Sequence, residues 1–254
     1  MLKWQVAIAI ENPRVLYLVI ELLKKLDLRF VVCLPGDSLC DDAKVIITTK
    51  EDSNKHARKV VVDEYLDPDF TSIEILVKLN DIDSPFSAMI GIDPGMRFGV
   101  ALVIDGIVAF TNSPTSPGAA ARLSSRLESY VSRLFPNCRT IIRAGTGSKL
   151  YSVLYLRDIN RQFPGLNIEL VNEQNTTLSG GITSDQSSAI LIAGRPGRAL
   201  TENDTILEPK VGYVKSLKLF VRRYSRGQKE ITTDEARAIL LDEISLNCIL
   251  TNDC

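Results

Sequence analysis

The chain has 254 residues, 45% of them hydrophobic and 24% charged, with a formal net charge of −1 at pH 7. This length exceeds the commonest domain size, so we expect two compact units or one unit with an extension. The balanced charge excludes a uniformly basic chain, no apolar run approaches the ~18 residues that span a bilayer, and the start lacks a signal-peptide pattern.

Residues 5–79 alternate short β-rich runs with a helical run, which predicts a small parallel α/β domain of the Rossmann-like kind. Strands are predicted at 6–10, 30–34, 44–48 and 60–62, and a helix at 12–26. Asn12 is the expected N-cap of this helix, with Pro13 at its first position. Residues 80–87 lose periodicity, which indicates a linker, and we take the first domain as 1–86.

The region 87–200 opens with an apolar strand that ends in Asp93, followed at once by Pro94 and Gly95. This turn predicts that the second strand pairs back antiparallel, and Asp105-Gly106 predicts the next hairpin turn. Strands are predicted at 88–92, 98–104, 107–111, 140–144 and 167–171, and helices at 119–134, 148–162 and 185–193. This order predicts a mixed five-stranded sheet with flanking helices.

Residues 201–254 are predicted to form a helical extension. A basic row and an apolar row at helical spacing indicate an amphipathic helix. The basic row is Lys215, Lys218, Arg222 and Arg226, and the apolar row is Val214, Leu217, Val221 and Tyr224. Thr232 and Glu235 have capping-box spacing ahead of a helix through Leu241, and a last turn or two covers 243–250.

The basic row has two interpretations. It could contact phosphates, aided by Arg195 and Arg198, which follow the predicted helix 185–193. A solvated helix face gives the same pattern.

The cysteines and the single histidine do not indicate a zinc site. The five cysteines are scattered, which is typical of reduced thiols in a cytoplasmic protein. They are Cys33, Cys40, Cys138, Cys248 and Cys254. His56 lies in a polar stretch, and we interpret it as a solvated residue rather than a zinc ligand.

Three carboxylates are candidates for one metal site. Asp93 ends a strand, Glu173 follows the strand that ends at Val171, and Asp185 opens a helix of small residues. If the first and fourth strands of this region lie side by side, the three acids converge at one edge of the sheet. Clustered carboxylates repel each other unless a cation neutralises them, and oxygen ligands suit Mg²⁺ or Mn²⁺. Two such ions can promote phosphodiester cleavage without a histidine.

Each acid also has a simpler explanation. Asp93 could cap its turn, Glu173 could be a solvated strand-end acid, and the helix macrodipole alone could favour Asp185. Asp234 competes with Asp185 as the third acid, although capping chemistry also accounts for it.

The motifs around these acids resemble the RNase H-like superfamily, in the branch of RuvC-type Holliday-junction resolvases and YqgF-type pre-ribosomal-RNA processing nucleases. Ile90-Gly91-Ile92-Asp93-Pro94-Gly95 resembles the RuvC opening motif, and Arg97 fits the basic residue that follows it. Glu173-Gln174-Asn175-Thr176-Thr177 resembles the YqgF strand-end motif. Asp185 with Ser188-Ala189-Ile190-Leu191-Ile192 resembles the last YqgF motif.

The resemblance extends over about 88–200 and distinguishes the two groups. Arg143-Ala144-Gly145-Thr146-Gly147 is similar to the glycine-bearing loop that borders the active site in the YqgF group. The RuvC pattern has a second acid where this chain has Ser188. The resemblance is therefore closer to the single-Asp YqgF pattern than to a four-acid resolvase.

The resemblance implies an RNase H-like fold and a two-metal-ion nuclease that acts on structured RNA or DNA with Mg²⁺ or Mn²⁺. The implied catalytic metal ligands are Asp93, Glu173 and Asp185. The candidate nucleic-acid contacts are Arg97, Gly145, Lys215, Lys218, Arg222 and Arg226. It also leaves a homodimer open, because resolvases of this type are dimers.

Two other function classes remain open. A nucleic-acid-binding or scaffolding protein could keep the RNase H-like fold without turnover. An actin-like or sugar-kinase-like ATPase shares the opening strand, but it needs two copies of the fold and the sequence contains one.

Overall fold

The computed structural model describes residues 4–52, 58–173 and 185–251. His56 and the motif residues Gln174, Asn175, Thr176 and Thr177 lie outside this described part. The chain divides into two compact units, Met1–Pro85 and Phe86–Cys254, so the helices after residue 200 belong to the unit that contains the larger sheet. In the described ranges, no helix is long and apolar enough to cross a membrane.

The first unit is built on a four-stranded parallel sheet. Its strands are β1 (Trp4–Ala9), β2 (Phe30–Val32), β3 (Ala43–Thr48) and β4 (Lys59–Val61), in the order β2-β1-β3-β4. Its helices are α1 (Pro13–Lys25), α2 (Pro68–Leu79) and a 3₁₀ helix at Ser38–Asp42. The predicted parallel α/β layers are therefore confirmed.

The sequence predicts one of the two α-helices of this unit and not the other. Asn12 caps α1 as predicted, because its side chain accepts hydrogen bonds from the amides of Arg14 and Val15. Helix α2 was missed, although Asp67 and Pro68 provide an N-cap and a first-position proline. Its buried residues are Thr71, Ser72, Ile73, Ile75 and Val77. They do not form one apolar stripe, so the 3.6-residue signal is weak.

The prediction of five reduced thiols is wrong for two of them. Cys33 and Cys40 form a disulfide, with their Cα atoms 5.9 Å apart. Gly36 has a φ of +84°, and the turn around it returns the chain so that the 3₁₀ helix lies near the end of β2. Cys138 and Cys248 are not part of a disulfide, and Cys254 is outside the described residues.

The second unit is built on a mixed six-stranded sheet in the order β10-β9-β8-β5-β6-β7. The strands are β5 (Ser87–Asp93), β6 (Gly99–Ile104), β7 (Ile107–Asn112), β8 (Arg139–Gly145), β9 (Ile168–Val171) and β10 (Arg198–Ala199). The prediction of five strands missed β10, which pairs antiparallel with β9. Two residues are too few to give a periodic signal.

Strand pairing follows the predicted directions. β5, β6 and β7 are antiparallel neighbours, while β8 runs parallel to β5, so the first and fourth strands of this unit lie side by side. Asp105 and Gly106 have φ values of +44° and +85°, the conformation of a tight hairpin turn. The side chain of Asp105 also accepts hydrogen bonds from the amides of Phe86 and Ser87, both at 2.9 Å, and so holds the start of β5.

Helix α5 (Asp185–Ala193) packs very closely on β5 and β6. A Cβ atom on Gly91 would overlap the backbone oxygen of Ala189, and a Cβ atom on Gly99 would overlap that of Asp185. Only glycine allows this approach of helix and strand backbones. The small side chains of Ala189 and Ala193 on α5 permit this packing, and the glycines of the sheet complete it.

The remaining helices form a connected layer. They are α3 (Pro117–Leu134), α4 (Lys149–Gln162), α6 (Val211–Tyr224), α7 (Thr233–Leu240) and α8 (Leu246–Thr251). α3 packs on α4 and contacts β5, β6 and β8. The buried Arg157 of α4 donates hydrogen bonds to the carbonyl oxygens of Thr205, Ile239 and Leu240, which ties the C-terminal helices to this layer.

The C-terminal helices confirm most of the expected pattern. The predicted capping box is present, because Thr232 and Glu235 exchange hydrogen bonds at the start of α7. The buried stripe of α6 consists of Val214, Leu217, Phe220 and Val221, so Phe220 replaces the predicted Tyr224. Arg226 lies beyond the end of α6 with a φ of +54°, so the prediction that it continues the helical row is wrong.

Candidate metal centre

Strand register brings the candidate acids to one edge of the larger sheet. Asp93 is the last residue of β5, and its neighbour Ile92 is paired with Ala144 of β8. In turn, Gly145 of β8 is paired with Val171 of β9, two residues before Glu173. The three strands are parallel, so their carboxyl ends meet at the same edge.

The pKa of Asp93 responds to the charges of the other two acids. Burial is the largest cause of a rise in the pKa of this carboxyl to about 6, and the charges of Glu173 and Asp185 contribute to the same rise. A hydrogen bond with Ser188, one turn along α5 from Asp185, opposes the rise. Among the described residues, no cation contributes to lowering this pKa.

Glu173 is held by the loop that follows β8. Its Oε1 accepts a hydrogen bond from the amide of Gly147 at 2.9 Å. A Cβ atom on Gly145 would overlap this carboxylate, and a Cβ atom on Gly147 would lie 2.5 Å from its Oε2. The two glycines therefore make the space that Glu173 occupies. Gly145 itself is buried, whereas Thr146 and Gly147 are exposed.

Asp185 is positioned by the first turn of α5. The side chain of Gln186 accepts a hydrogen bond from Thr111 at 3.1 Å and donates one to Ser113 at 3.2 Å, which fixes the start of the helix to the end of β7. At the other end of α5, Arg143 donates to the carbonyl oxygen of Ala193 at 2.7 Å. Helix α5 is therefore anchored at both ends over the Asp93 strand.

The acids fit a divalent cation by chemistry. Three carboxylates supply only oxygen donors, the set that Mg²⁺ and Mn²⁺ prefer. Two negative neighbours raise the pKa of Asp93, and a cation among them would remove this repulsion. In the part of the chain that the structure describes, no group of three or more His, Cys, Asp or Glu side chains forms a ready-made metal site.

The competing acid is differently placed. Asp234 has a side chain that is 91% exposed, and it forms an ion pair with Arg237 on the same helix at 3.5 Å. It is also not among the groups that affect the pKa of Asp93. Proximity to Asp93 therefore favours Asp185 as the third acid.

The basic residues predicted to contact nucleic acid lie in several environments. Arg97 is exposed in the turn after Asp93, and Lys215 is exposed on α6. Arg222 pairs with Glu230 at 3.7 Å, and Lys218 donates to Thr233 at 3.4 Å. The row on α6 is thus partly directed toward Glu230, which precedes α7, and Thr233, the first residue of α7.

Three residues of this edge were not among the predicted site residues, although Ser188 and Gly147 belong to the motifs that resemble the YqgF group. Ser188 is hydrogen-bonded to Asp93, and the Gly147 amide holds Glu173. Arg223, which neighbours the predicted row, contacts the Sδ atom of Met96 in the turn after Asp93 at 3.1 Å. The resemblance of the loop 143–147 to the YqgF group could have indicated Gly147. Helical spacing alone could not indicate which face of α6 lies near the acids.

A cleft of about 930 Å³ opens beside Glu173. Its lining includes Thr146, Gly147, Lys149, Asn172, Arg198 and Asn203. A second cavity of about 260 Å³ shares Lys149 and Asn203 with it and reaches Lys210 and Tyr213. Arg198 is engaged by Asp204 through contacts of 2.5 and 2.7 Å, and Lys210 lies 3.6 Å from Glu208.

Comparison with known proteins finds a likeness in the first unit alone. Residues 5–75 are similar to the response regulator receiver-like domain family. The matched stretch extends from β1 into α2 and covers less than half of the chain. No curated protein and no solved structure matches the chain.

Proposed function

We propose that the second unit is a metal-dependent nuclease that hydrolyses phosphodiester bonds in structured RNA or DNA. The observation that carries the proposal is the placement of three acids at one edge of the sheet, with Asp93 at the end of β5, Glu173 just after β9 and Asp185 at the start of α5, which packs on β5 and β6. Three acids from a strand end, a post-strand loop and a helix start approach each other at one sheet edge. A fold gains no stability from such mutual repulsion, whereas a bound cation turns it into attraction.

The connectivity of the sheet supports an RNase H-like assignment for 87–200. The first three strands form an antiparallel meander, and the next two lie parallel to the first on its other side. The resemblance to the RNase H-like superfamily requires the first and fourth strands of this unit to be neighbours, and β5 and β8 are paired. The two-residue strand β10 extends the sheet at the edge next to β9.

The residues at this edge have distinct roles in the proposal. Asp93, Glu173 and Asp185 would hold the Mg²⁺ or Mn²⁺ ions. Such ions activate water as a nucleophile and stabilise the departing oxygen of a phosphodiester. Ser188 orients Asp93 through their hydrogen bond, and the amide of Gly147 orients Glu173.

The size of the cleft beside Glu173 supports the proposal that the substrate is a polymer. Its volume of about 930 Å³ is at the upper end for small-molecule sites, and the second cavity continues it past Lys149. Lys149 makes no ion pair with a described residue, so its ammonium group is available to a phosphate.

Cleavage assays with charge-neutral variants test the proposal. We expect the wild-type chain to cleave labelled RNA or DNA hairpins in Mg²⁺ or Mn²⁺. Asp93→Asn, Glu173→Gln and Asp185→Asn should each lower the rate at least ~1,000-fold, since each removes one charged metal ligand. Circular dichroism and thermal unfolding would verify that the variants remain folded.

Asp234→Asn is the matched control, because it removes an exposed acid of similar chemistry from α7. It should leave the cleavage rate within about twofold of wild type. Full cleavage by Asp93→Asn would contradict the proposal. Nucleic-acid binding without cleavage or metal binding would instead support the scaffolding alternative.

A further inference from the structure

The cleft beside Glu173 continues into a second cavity at the start of helix α6. The larger cleft, of about 930 Å³, is lined by Glu173, Lys149 and Asn203 among other residues. Lys149 and Asn203 also line the second cavity, of about 260 Å³, so the two cavities meet at these side chains. Both residues are exposed. An accessible groove therefore leads from one of the three acids to the first turn of α6.

The far end of the groove offers apolar surface. Tyr213 of α6 is half-buried, Ile206 is 56% exposed, and both line the second cavity. The volume of about 260 Å³ is below the ~300–1,000 Å³ of sites that enclose a whole small-molecule ligand, so this cavity suits a part of a ligand such as one planar ring. Every nucleic-acid base has a face that can stack on an aromatic side chain.

Two lysines border the same groove at helix starts. Lys149 is the first residue of α4, Lys210 is the N-cap of α6, and both line the second cavity. The positive end of a helix macrodipole disfavours a cation at these positions. Among the described residues, neither helix has an acid in its first turn, and Lys210 meets Glu208 only in an exposed pair at 3.6 Å. An anionic ligand would neutralise the positive charge that collects on this wall.

The remaining charges of the larger cleft do not oppose an anion beside the lysines. Arg198 and Asp204 neutralise each other through contacts of 2.5 and 2.7 Å, and Glu173 belongs to the acids that metal ions would neutralise. A basic wall beside a stacking surface is the combination with which proteins bind single-stranded nucleic acid. A duplex keeps its bases inside the stack and cannot place one against Tyr213.

We propose that this groove binds a single-stranded segment of the substrate, with phosphate groups at Lys149 and Lys210 and one base stacked on Tyr213. The inference rests on the proposed nuclease function for where the strand leads, because the groove ends at Glu173. It narrows the substrate class to nucleic acid with an unpaired tail or flap beside the cleaved bond. Phosphates and bases are common to RNA and DNA, so the groove accepts either.

Binding measurements without metal test the groove separately from catalysis. All proteins carry Asp93→Asn and are kept in EDTA, so that the probes stay intact. Fluorescence anisotropy gives the Kd for labelled RNA and DNA single strands of about 12 nucleotides, and for blunt duplexes of the same sequences. We expect the single strand of at least one chemistry to bind at least ~10-fold more tightly than its duplex.

Lysine variants locate the phosphate contacts. Lys149→Ala should raise the Kd of the single strand about tenfold at ~0.1 M salt, and should reduce the slope of log Kd against log salt by about 0.7, since one phosphate contact is lost. Lys210→Ala should change both quantities in the same direction. Lys218→Ala is the matched control, because this lysine of α6 lines another cavity, of about 200 Å³. It should change neither quantity.

Tyr213 variants separate stacking from structural support. Tyr213→Leu keeps apolar bulk but has no ring, so it should raise the Kd at least ~5-fold without altering the salt slope. Tyr213→Phe keeps the ring and should bind like the parent. Thermal unfolding of both variants verifies that the helix start is intact. Unchanged binding by Tyr213→Leu would contradict the stacking contact.

The proposal is overturned if the parent binds no single strand, if duplexes bind as tightly, or if Lys149→Ala and Lys218→Ala behave alike. A nucleoside monophosphate that binds as tightly as the strand also overturns it, because the groove would then be a small-nucleotide site. If wild type cleaves but Lys149→Ala binds normally, the nuclease stands and the groove falls. If Lys149→Ala weakens binding but wild type shows no metal-dependent cleavage, the groove stands and the nuclease falls.

Discussion

Two charged clusters in the second unit differ in the groups that surround the charge. Around Arg157 on α4, the guanidinium meets three carbonyl oxygens, and Arg161 pairs with Asp242 at 2.8 Å. Around Asp93, the neighbouring charges are two more acids. In the first cluster the fold itself supplies partners for the charges, whereas in the second no cation of the described residues contributes to lowering the pKa of Asp93. The contrast separates charges that build the fold from charges that can hold a ligand.

The contrast is sharpest for two aspartates whose pKa values are both raised to about 6. Burial is the main cause for Asp93 and for Asp158 of α4. At Asp158, Arg161 and Arg122 oppose the rise, while at Asp93 two carboxylates add to it. The two raised pKa values therefore share burial as their main cause, while the charges nearby are mainly cations at Asp158 and acids at Asp93.

The largest expected effect is on the neutralised cluster. Arg157→Ala should lower the free energy of unfolding by about 3 kcal/mol, because three buried carbonyl oxygens lose a charged donor. Urea unfolding followed by circular dichroism measures this change. Arg161→Ala is the control and should cost less than about 1 kcal/mol, since its ion pair with Asp242 is partly exposed. Equal losses in the two variants would contradict the assigned structural role of Arg157.

A smaller but more specific effect is expected under helix α5. Gly91→Ala places a methyl group against the backbone of Ala189 and should destabilise the unit by about 2 kcal/mol through overpacking. Because α5 carries Asp185 and Ser188, we also expect weaker metal binding. Calorimetry with Mn²⁺ and thermal unfolding measure the two effects.

Gly212→Ala is the matched control for this substitution. Gly212 lies on α6 with no atom within 4 Å of an added Cβ, so alanine should leave stability unchanged or raise it slightly. Normal stability and metal binding in Gly91→Ala would mean that the close packing of α5 does not position the acids.

The smallest expected effect is the pH dependence of stability that arises from the acids around Asp93. The folded-state pKa of Asp93, about 6, is above its ordinary value of 3.8, so folding favours the protonated form. The resulting stability is present below about pH 4 and is lost as pH rises through about 6. The shift corresponds to about 3 kcal/mol in a dry site, and solvent screening reduces it to about 1 kcal/mol.

Thermal unfolding from pH 4 to 8 measures this dependence. Asp93→Asn should raise stability above pH 6 by about 1 kcal/mol and flatten the pH profile, because the repelled charge is gone. Saturating Mn²⁺ should stabilise wild type but not Asp93→Asn. Asp158→Asn should still be stabilised by Mn²⁺. If this variant is not stabilised, the separation of the two clusters is contradicted.

The sequence predicted strand directions well where local chemistry determines them. Asp105-Gly106 specifies a hairpin turn, and alternating strands and helices specify parallel pairing of β8 with β5. It missed β10 and α2, since two residues carry no period and a helix buried on several sides has no apolar stripe. The Cys33–Cys40 disulfide was missed because it depends on how a loop folds back.

The positions of the three acids at a strand end, after a strand and at a helix start could be predicted, because strand ends and helix starts are readable from local sequence. The sequence could not show which basic side chain of α6 lies near the Asp93 turn, because this depends on how α6 is rotated in the fold. Residues 222 and 223 are adjacent in sequence, yet Arg222 meets Glu230 and Arg223 meets Met96 of the Asp93 turn. One residue along a helix turns a side chain by about 100°, and tertiary packing decides which one reaches the site.

Calorimetric titration with Mn²⁺ tests the proposed metal centre most directly. Wild type, Asp93→Asn and Asp158→Asn would be compared at pH 7.5, where both aspartates are ionised. We predict that Mn²⁺ binds wild type and Asp158→Asn with similar affinity, and binds Asp93→Asn at least tenfold more weakly. Equal Mn²⁺ binding by all three proteins, or no binding to wild type at millimolar Mn²⁺, would contradict a metal centre at Asp93.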